Sequence, residues 1–325
     1  MTESPVLRVH GLNVTVQRPS GSIQVVEDVD LVLRQKEVMG LVGETGAGKT
    51  LTMRAFLQLL PPGLQVSGRL EIGDKSIDLG QPGAAGHIRG RDIGLILQDP
   101  VGMFDPLIRV GPQLFEGVLR HDLMNNEEAR RRAIDLLTSM GFTDPEAVLH
   151  LYPHQLSGGM SQRIGIAMAL MPNPLVLVAD EPTSALDAHL RLEVLGLFKQ
   201  VAREQGLGVV LVSHDLGLVG RFCDSITVIY AGRVVEQGHT GRLRSHPEHP
   251  YTTALLACSP TLDTPPRAPV AVIPGTPPTP GAWPPACVFE PRCPLAFDRC
   301  RVERPALRAD GGHAAACHLA FDERL

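Results

Sequence analysis

The stretch GETGAGKT, residues 43–50, places three glycines and a lysine between two apolar segments. VMGLV, residues 38–42, precedes it with the composition of a buried strand, and LTMRAFLQLL, residues 51–60, follows it with a helix-like pattern. Glycines allow successive backbone N–H groups to converge on an anion, because no Cβ atom interferes. The order of strand, glycine-rich loop and helix therefore predicts a phosphate-binding loop in an α/β fold.

The loop matches the pattern G-x-x-x-x-G-K-[ST]. Lys49 is expected to reach the β- and γ-phosphates of a nucleotide, and the hydroxyl of Thr50 to ligate Mg²⁺. The helix expected over residues 48–60 directs the positive end of its dipole at the same anion. The residues that we assign to nucleotide and Mg²⁺ binding in this loop are Gly43, Glu44, Thr45, Gly46, Ala47, Gly48, Lys49 and Thr50.

Polar residues follow two further apolar runs of the sequence. Asp180 and Glu181 come directly after LVLVA, residues 175–179, and His214 comes shortly after GVVLV, residues 208–212. Ligands of open parallel sheets bind at the carboxyl ends of the strands, so these side chains are expected near the phosphate-binding loop. We predict that Asp180 holds Mg²⁺, that Glu181 is the general base that orients water, and that His214 stabilises the γ-phosphate.

A second glycine-rich stretch, LSGGMSQR at residues 156–163, precedes the helical pattern IGIAMALM. With this stretch the sequence resembles the ATP-binding subunit of an ABC transporter, over about residues 7–238. The resemblance implies a P-loop NTPase core of the RecA-like type, with an antiparallel β lobe and a helical lobe. It also implies that the helix start contacts ATP held by the P-loop of a second ATPase subunit. The residues assigned to this contact are Ser157, Gly158, Gly159 and Gln162.

Other stretches of the sequence match the same family in order. Gln98, in LILQDP, resembles the glutamine that contacts Mg²⁺ and connects the core to the helical lobe. Residues 184–187 resemble the loop that meets the partner subunit, and His214 resembles the histidine of the catalytic site. The catalytic residues implied are Glu181, His214 and Gln98, and Gln98 and Asp180 also belong to the set that binds ATP and Mg²⁺.

The N-terminal strand departs from the family pattern. Members of the family usually carry an aromatic side chain there that stacks on adenine, whereas this chain has Val16 near that position and no aromatic residue before Phe56. Apolar contact alone holds a base less firmly than aromatic stacking does. The sequence therefore predicts weak discrimination between nucleotide bases.

Charge and hydropathy limit the classes of function. The 325 residues carry a formal net charge of −5, which does not favour binding to nucleic acid. No apolar run reaches the ~18 residues of a membrane span, and the N-terminus lacks the pattern of a signal peptide. We therefore expect a peripheral protein at the cytoplasmic face of the cell membrane. The resemblance implies two multi-span permease subunits, a second ATPase subunit, identical or homologous, and an extracytoplasmic substrate-binding protein as partners.

The composition of the chain changes near its C-terminal quarter. We expect a nucleotide-binding domain over residues 1–240, with the helical lobe at about 99–160, and an extension over residues 241–325. Pro and Gly crowd residues 260–285, which excludes a helix there and indicates a linker or an extended wrapping segment.

The extension also concentrates cysteines. Four of the six in the chain fall in its last 39 residues, namely Cys287, Cys293, Cys300 and Cys317. Their spacings of five, six and sixteen residues fit neither the short knuckles of structural zinc sites nor the standard ferredoxin runs. This tail, with HPEHPYTTALL at residues 246–256, resembles the C-terminal extension of the dipeptide, oligopeptide and nickel importer ATPases. The resemblance favours a [4Fe–4S] cluster over the alternatives, which are Zn²⁺ and unligated thiols.

The sequence thus predicts the ATP-hydrolysing subunit of a bacterial ABC importer for dipeptides or oligopeptides, and the alternative is a nickel or metal-chelate importer. A non-transport ABC ATPase that acts on DNA or ribosomes is a competing class. Such proteins are expected to have a long coiled-coil insertion, tandem nucleotide-binding modules or a basic surface, and this sequence has none of them. A GTPase or kinase with the same P-loop leaves LSGGMSQR unexplained.

Overall fold

The computed structural model describes residues 4–19, 21–99, 102–184, 186–259 and 271–321. Two β-sheets form its framework. The first contains β1 (Pro5–Arg18), β2 (Gly21–Arg34), β4 (Leu64–Ile72) and β5 (Lys75–Asp78). These strands lie in the order β2-β1-β4-β5 and every neighbouring pair is antiparallel. Apolar side chains alternate with polar ones along them and face a buried core, so the antiparallel β lobe expected from the sequence is confirmed.

The second sheet contains β3 (Val38–Val42), β6 (Ile93–Ile96), β7 (Val176–Asp180), β8 (Gly208–Ser213), β9 (Ser225–Tyr230), β10 (Arg233–His239), β11 (Arg308–Asp310) and β12 (His313–Ala315). Its order is β11-β12-β10-β9-β3-β8-β7-β6. The strands from β9 to β6 in that order are parallel, and β10, β12 and β11 extend the sheet antiparallel. Every residue of β3 and β7 is buried, as expected of parallel strands with both faces covered.

The helices are α1 (Lys49–Phe56), α2 (Val110–Arg120), α3 (Asn126–Ser139), α4 (Pro145–His150), α5 (Gly158–Leu170), α6 (Ala188–Gln205), α7 (Leu216–Val219), α8 (Thr240–Ser245), α9 (Pro250–Ala257) and α10 (Asp298–Val302). The predicted helical lobe corresponds to α2, α3 and α4 together with the start of α5. A capping box at Asn125 begins α3, and Gly141, with φ of 85°, follows its end. In the described part of the chain, no helix is long and apolar enough to cross a membrane.

The helix after the phosphate-binding loop is shorter than the sequence predicts. It ends at Phe56 rather than near Leu60, because Gln58 takes a left-handed conformation with φ of 51°. The Gln58 amide donates to the carbonyls of Leu79 and Gln81 at 2.9 and 2.7 Å. These bonds connect the end of the helix to the segment after β5. They stabilise the non-helical backbone conformation of Gln58.

The extension joins the core sheet. In it β12 pairs antiparallel with β10, with Ala315 opposite Glu236, and β11 pairs with β12. The side chains of Glu236 and His313 are fully buried between these strands, and His313 Nε2 lies 2.6 Å from Glu236 Oε1. The predicted linker falls partly on residues 260–270, which lie outside the described residues, and its described part, residues 271–285, contains neither helix nor strand. The predicted domain boundary near residue 240 therefore falls between strands of one continuous sheet.

Candidate nucleotide-binding site

The backbone of the phosphate-binding loop requires its glycines. Gly43 has φ of 155°, and a Cβ atom there would lie 2.2 Å from the carbonyl oxygen of Ile229. Gly48 has φ of 104°, and a Cβ atom there would lie 3.1 Å from the Cα atom of Gly232. Gly232 belongs to the tight turn between β9 and β10, and its N–H donates to the carbonyl of Ala47 at 2.8 Å. The loop is thus packed against this turn, which holds its N–H groups in a fixed arrangement.

Lys49 lies across the mouth of the loop. Its ammonium donates to the carbonyls of Gly43 and Glu44 at 2.9 and 3.0 Å, and the residue is 4% exposed. Burial lowers the pKa of Lys49, whereas the carboxylates of Glu181, Asp180 and Glu44 act in the opposite direction. A buried cation beside a cluster of backbone N–H groups is suited to bind phosphate oxygens, as the sequence predicts.

Thr50 and Asp180 meet beside this lysine. The Thr50 hydroxyl donates to Asp180 Oδ1 at 2.9 Å, and Asp180, the last residue of β7, is 2% exposed. Burial raises the pKa of Asp180, and the bond from Thr50 lowers it. A hydroxyl and a carboxylate in contact supply the oxygen ligands that Mg²⁺ prefers, and Mg²⁺ usually takes its other ligands from phosphate and water. The residues therefore fit an Mg²⁺–nucleotide complex.

Glu181 and His214 form a second pair at the same edge of the sheet. His214 Nδ1 lies 3.2 Å from Glu181 Oε1, with the histidine side chain 54% and the glutamate side chain 17% exposed. Glu181 has φ of 45°, an uncommon value for a residue with a side chain, and its N–H donates to the Val212 carbonyl of β8. Such backbone strain clusters at functional sites.

Gln98 comes two residues after the end of β6 and is exposed. The last residue of β6, Ile96, lies opposite Ala179 of β7. Gln98 therefore shares the carboxyl edge of the sheet with Asp180 and Glu181, at the end nearest the helical lobe. The structure brings the predicted residues of β6, β7 and β8 to one edge, as the parallel topology requires.

The stretch LSGGMSQR at residues 156–163, called the signature stretch from here on, begins α5 away from this edge. Ser157 caps the helix by accepting a hydrogen bond from the N–H of Met160 at 3.3 Å, and both Ser157 and Gly158 are exposed. Gly159 packs against α6, since a Cβ atom there would lie 2.9 Å from Leu190. A surface groove is lined by these residues and by Asp187, the cap of α6. None of the residues that line this groove belongs to the phosphate-binding loop, within the described ranges.

Gln162, the fourth residue assigned to the signature contact, lies elsewhere. It is 1% exposed, and neither its amide nitrogen nor its amide oxygen has a hydrogen-bond partner within the described chain. Gln162 lies one helical turn after the exposed start of α5, and its side chain faces the protein interior. Its contact with a nucleotide in a second subunit stays a prediction.

The four cysteines of the tail come together in space. Cys287, Cys293, Cys300 and Cys317 all line one small cavity, and all four are free thiols. Burial, with a smaller contribution from the neighbouring thiols, raises the pKa of Cys287 to about 11. Among the described residues, no three His, Cys, Asp or Glu side chains are arranged to hold a single metal ion. The structure therefore brings the four cysteines to one cavity but does not arrange them as a metal site, so a metal or cluster held by them stays a prediction.

Backbone N–H groups point at three of these sulfur atoms. Cys287 accepts from Phe289, and Cys293 accepts from Leu295. Cys317 accepts from Leu319 and Ala320. Each bond lowers the pKa of its thiol and so favours the thiolate over the thiol, against the effect of burial.

Two residues of the extension also contact the phosphate-binding loop, and the sequence did not indicate them. Tyr251 and Arg292 both bond to Glu44, from positions more than 200 residues away, with separations of 207 and 248. Tyr251 lies in the stretch HPEHPYTTALL, which carries the resemblance to importer ATPases but shows no sign of a partner. Only the tertiary structure reveals these contacts.

Comparisons with known proteins agree with this geometry. Residues 26–184 match the ABC transporter family model, and residues 235–300 match a model described as the oligopeptide/dipeptide transporter C-terminal region. The dipeptide transport ATP-binding protein DppD of Bacillus subtilis is 40% identical over 97% of this chain and 94% of its own length. Its namesake in Escherichia coli is 38% identical, over 98% of each chain.

Solved structures share the fold. CbiO1 of Clostridium perfringens, part of the ABC transporter complex cbiONQ, superimposes with a TM-score of 0.64, at 27% identity over 75% of this chain and 92% of its own. The ABC transporter cassette MJ0796, solved as a dimer, superimposes with a TM-score of 0.62, at 26% identity over 72% of this chain and 98% of its own.

The fold and the site together define an ATPase of the ABC class. Within that class, the chain belongs to the family of ABC transporter ATP-binding subunits that carry the oligopeptide/dipeptide transporter C-terminal region. The predicted α/β P-loop fold and the ATPase activity are thereby confirmed.

Proposed function

We propose that this protein hydrolyses ATP to power a bacterial importer of dipeptides or oligopeptides. The observation that supports this most directly is one row of side chains at the carboxyl edge of the parallel sheet. Lys49 crosses the phosphate-binding loop, Thr50 bonds to Asp180, and Glu181 pairs with His214. The C-terminal match to peptide transporters and the names of the relatives support peptides as the cargo.

In the proposed reaction, Lys49 and the loop N–H groups bind the β- and γ-phosphates. Mg²⁺, when bound with the nucleotide, supplies charge neutralisation beside Thr50 and Asp180. Glu181 accepts a hydrogen bond from the attacking water and orients it, and His214 holds the Glu181 carboxylate in place from the neighbouring strand. Gln98 couples nucleotide binding at this site to the helical lobe. The helical lobe docks on a membrane subunit.

We infer that the site is incomplete within one chain, because Ser157, Gly158 and Gly159 line a separate surface groove. We place Ser157 and Gly159 on the γ-phosphate of a nucleotide bound to a second ATPase subunit, and the nucleotide bound here receives the same residues from that subunit. ATP then favours the closed pair of subunits over the open one. ATP can favour one conformation of the permeases only by the difference between its binding free energies for the closed and the open pair of subunits.

The subunit is proposed to act at the cytoplasmic face of the membrane, with two multi-span permeases, the second ATPase subunit and an extracytoplasmic substrate-binding protein. The test is purification of the tagged chain from detergent-solubilised membranes of its own organism, followed by mass spectrometry and an ATPase assay in liposomes. We expect two permeases to co-purify and dipeptides to stimulate hydrolysis through the binding protein. Stimulation by a nickel chelate but not by peptides would support the metal importer instead. Co-purification with ribosomes or DNA alone would overturn transport.

We further propose that the four cysteines hold a [4Fe–4S] cluster. Two features support a bound group here: the four thiols line one small cavity, and hydrogen bonds from backbone N–H groups lower the pKa of three of them. Such bonds are typical of cluster sites, where they tune the cluster. Anaerobically purified protein should be brown and contain iron and acid-labile sulfide. A colourless protein with one zinc per chain would overturn the proposal.

A further inference from the structure

A partly buried ion pair joins the cysteine-rich tail to the phosphate-binding loop. Arg292 lies immediately before Cys293, and its side chain is only 3% exposed. Its two terminal nitrogens donate to the two carboxylate oxygens of Glu44 at 2.7 and 3.0 Å. Glu44 is the second residue of GETGAGKT, so the contact reaches the loop that receives the phosphates. Bidentate pairs of this kind fix both partners in orientation.

The remaining N–H groups of the Arg292 guanidinium also have hydrogen-bond acceptors. Arg292 Nε donates to the carbonyl of Pro274 at 2.8 Å, and its terminal nitrogens reach the Ile273 carbonyl and the Tyr230 hydroxyl, each at 3.3 Å. Together with the two bonds to Glu44, these use all five N–H groups that an arginine offers. The bonds to Glu44 are the main cause of a raised pKa at Arg292, so the group is charged at any physiological pH. A lysine cannot reproduce this geometry.

Aromatic rings enclose the ion pair. Tyr230, Tyr251 and Phe289 are each at most 1% exposed, and their ring centroids lie 4.6 to 5.3 Å apart. The Tyr251 hydroxyl accepts a hydrogen bond from the backbone N–H of Glu44 at 2.8 Å. Glu44 is therefore held at its carboxylate by Arg292 and at its backbone by Tyr251, and both of those residues lie after β10.

The charge of Glu44 affects the loop directly. Its carbonyl accepts from Lys49, and its carboxylate acts on the pKa of that lysine. A carboxylate at this position, only partly exposed to water, repels a triphosphate unless a cation neutralises it. Arg292 supplies that cation from the extension.

We propose that Arg292 is a positioning residue for ATP binding, which neutralises and orients Glu44 and so makes ATP affinity depend on the cysteine-rich segment. This inference rests on the proposed nucleotide site. It assigns the tail a role at the ATP site of its own chain.

The test is ATP affinity by calorimetry on the full-length chain carrying E181Q, which suppresses hydrolysis during the measurement. R292M keeps an unbranched, flexible side chain and removes its charge and its N–H donors, and we expect it to weaken ATP binding about tenfold. Adding E44Q to R292M should recover most of the loss, because the uncompensated charge is then gone. R299M is the matched control, since Arg299 forms a bidentate pair with Glu303 on the exposed face of the same tail. It should bind ATP as the parent does.

A purely structural role for Arg292 gives a different pattern. In that case R292M/E44Q binds ATP no better than R292M does, because two partners of the network are missing, and this outcome overturns the proposal. Unchanged affinity in R292M also overturns it. Loss of ATP binding in the parent chain itself contradicts the proposed nucleotide site instead, so the two failures are distinct.

Amide hydrogen exchange provides a second measurement, which stays informative if a variant is less stable than the parent chain. ATP should slow exchange in residues 287–296 of the parent chain, since binding and loop order are reciprocally linked. In R292K, which keeps the charge but not the bidentate geometry, the ATP-dependent protection of this segment should shrink while protection in β7 persists. Equal protection of residues 287–296 by ATP in both proteins would contradict the coupling.

Discussion

The Glu181 carboxylate lies 3.2 Å from Nδ1 of His214, and this contact connects the carboxyl ends of the neighbouring strands β7 and β8. Glu181 takes a left-handed backbone conformation to reach it. The surrounding structure holds this strained backbone, and the Glu181 carboxylate lies close enough to Asp180 to act on the pKa of Asp180.

Replacing Glu181 with Gln should separate binding from hydrolysis. The amide keeps the size of the side chain but cannot accept a proton, so we expect the hydrolysis rate to fall by about 10² to 10⁴-fold, the usual contribution of a general base. ATP affinity should be retained, and ATP should trap a closed dimer that size-exclusion chromatography resolves. Glu193→Gln, at an exposed position on α6, is the control. Turnover at the normal rate in E181Q would refute the role of Glu181.

The raised pKa of Asp180 predicts an acid limit for Mg²⁺-dependent turnover. Burial makes Asp180 take up its proton at a higher pH than an ordinary aspartate does, with 3.8 as the reference value. As the pH falls through that raised pKa, the carboxylate loses its charge and its affinity for the cation. The apparent affinity for Mg²⁺ in the ATPase assay should therefore weaken on the acid side before ordinary aspartates titrate. An apparent Mg²⁺ affinity that stays constant from neutral pH down to pH ~4 would contradict this prediction.

Ser157 tests the composite site. Ser157→Arg places a long cation at the exposed start of α5, where it blocks the approach of another subunit's phosphates. ATP binding to the isolated chain should be unchanged, whereas ATP-induced dimerisation and hydrolysis in the reconstituted complex should be lost. Ser76→Arg introduces the same side chain at an exposed position of β5 and should affect neither. Loss of ATP binding in the isolated Ser157→Arg chain would place the signature in its own nucleotide site.

Sequence reasoning predicted the parts of the fold that short stretches of sequence determine. The phosphate-binding loop requires glycines at Gly43 and Gly48, and buried parallel strands require continuous apolar runs, so both are visible in short stretches. The bond between Arg292 and Glu44 spans 248 residues and has no local pattern. The pairing of β12 with β10 is equally remote, because three residues of strand carry too little periodicity to be recognised.

Nucleotide selectivity should be low. The chain has no Phe, Tyr or Trp before Phe56, and Phe56 is fully buried in the core of the β lobe, so none of these rings from the N-terminal strand can stack on a base. Stacking is worth ~1 kcal/mol, which corresponds to about a fivefold preference. The kcat/KM values for ATP and GTP should therefore agree within about tenfold. A preference for ATP of a hundredfold or more would show that another part of the chain reads the base.

The buried Glu236 should determine whether the tail stays on the core sheet. Its carboxylate accepts from the N–H groups of Glu248 and His249 at 2.8 and 3.1 Å and contacts His313 Nε2 at 2.6 Å. Glu236→Ala leaves these groups buried without an acceptor, and breaking such a network costs about 3 to 5 kcal/mol. We expect a lower melting temperature and early proteolysis within residues 271–321.

The control is Glu303→Ala, which removes an exposed partner of Arg299 and should leave the melting temperature close to that of the parent chain. Because β12 pairs with β10 beside Glu236, detachment of the tail in Glu236→Ala should also release Arg292 from Glu44 and weaken ATP binding. Limited proteolysis and calorimetry on one preparation measure both effects. A Glu236→Ala chain that melts like the parent and keeps its tail protected would show that strand pairing and the aromatic cluster hold the extension without this carboxylate.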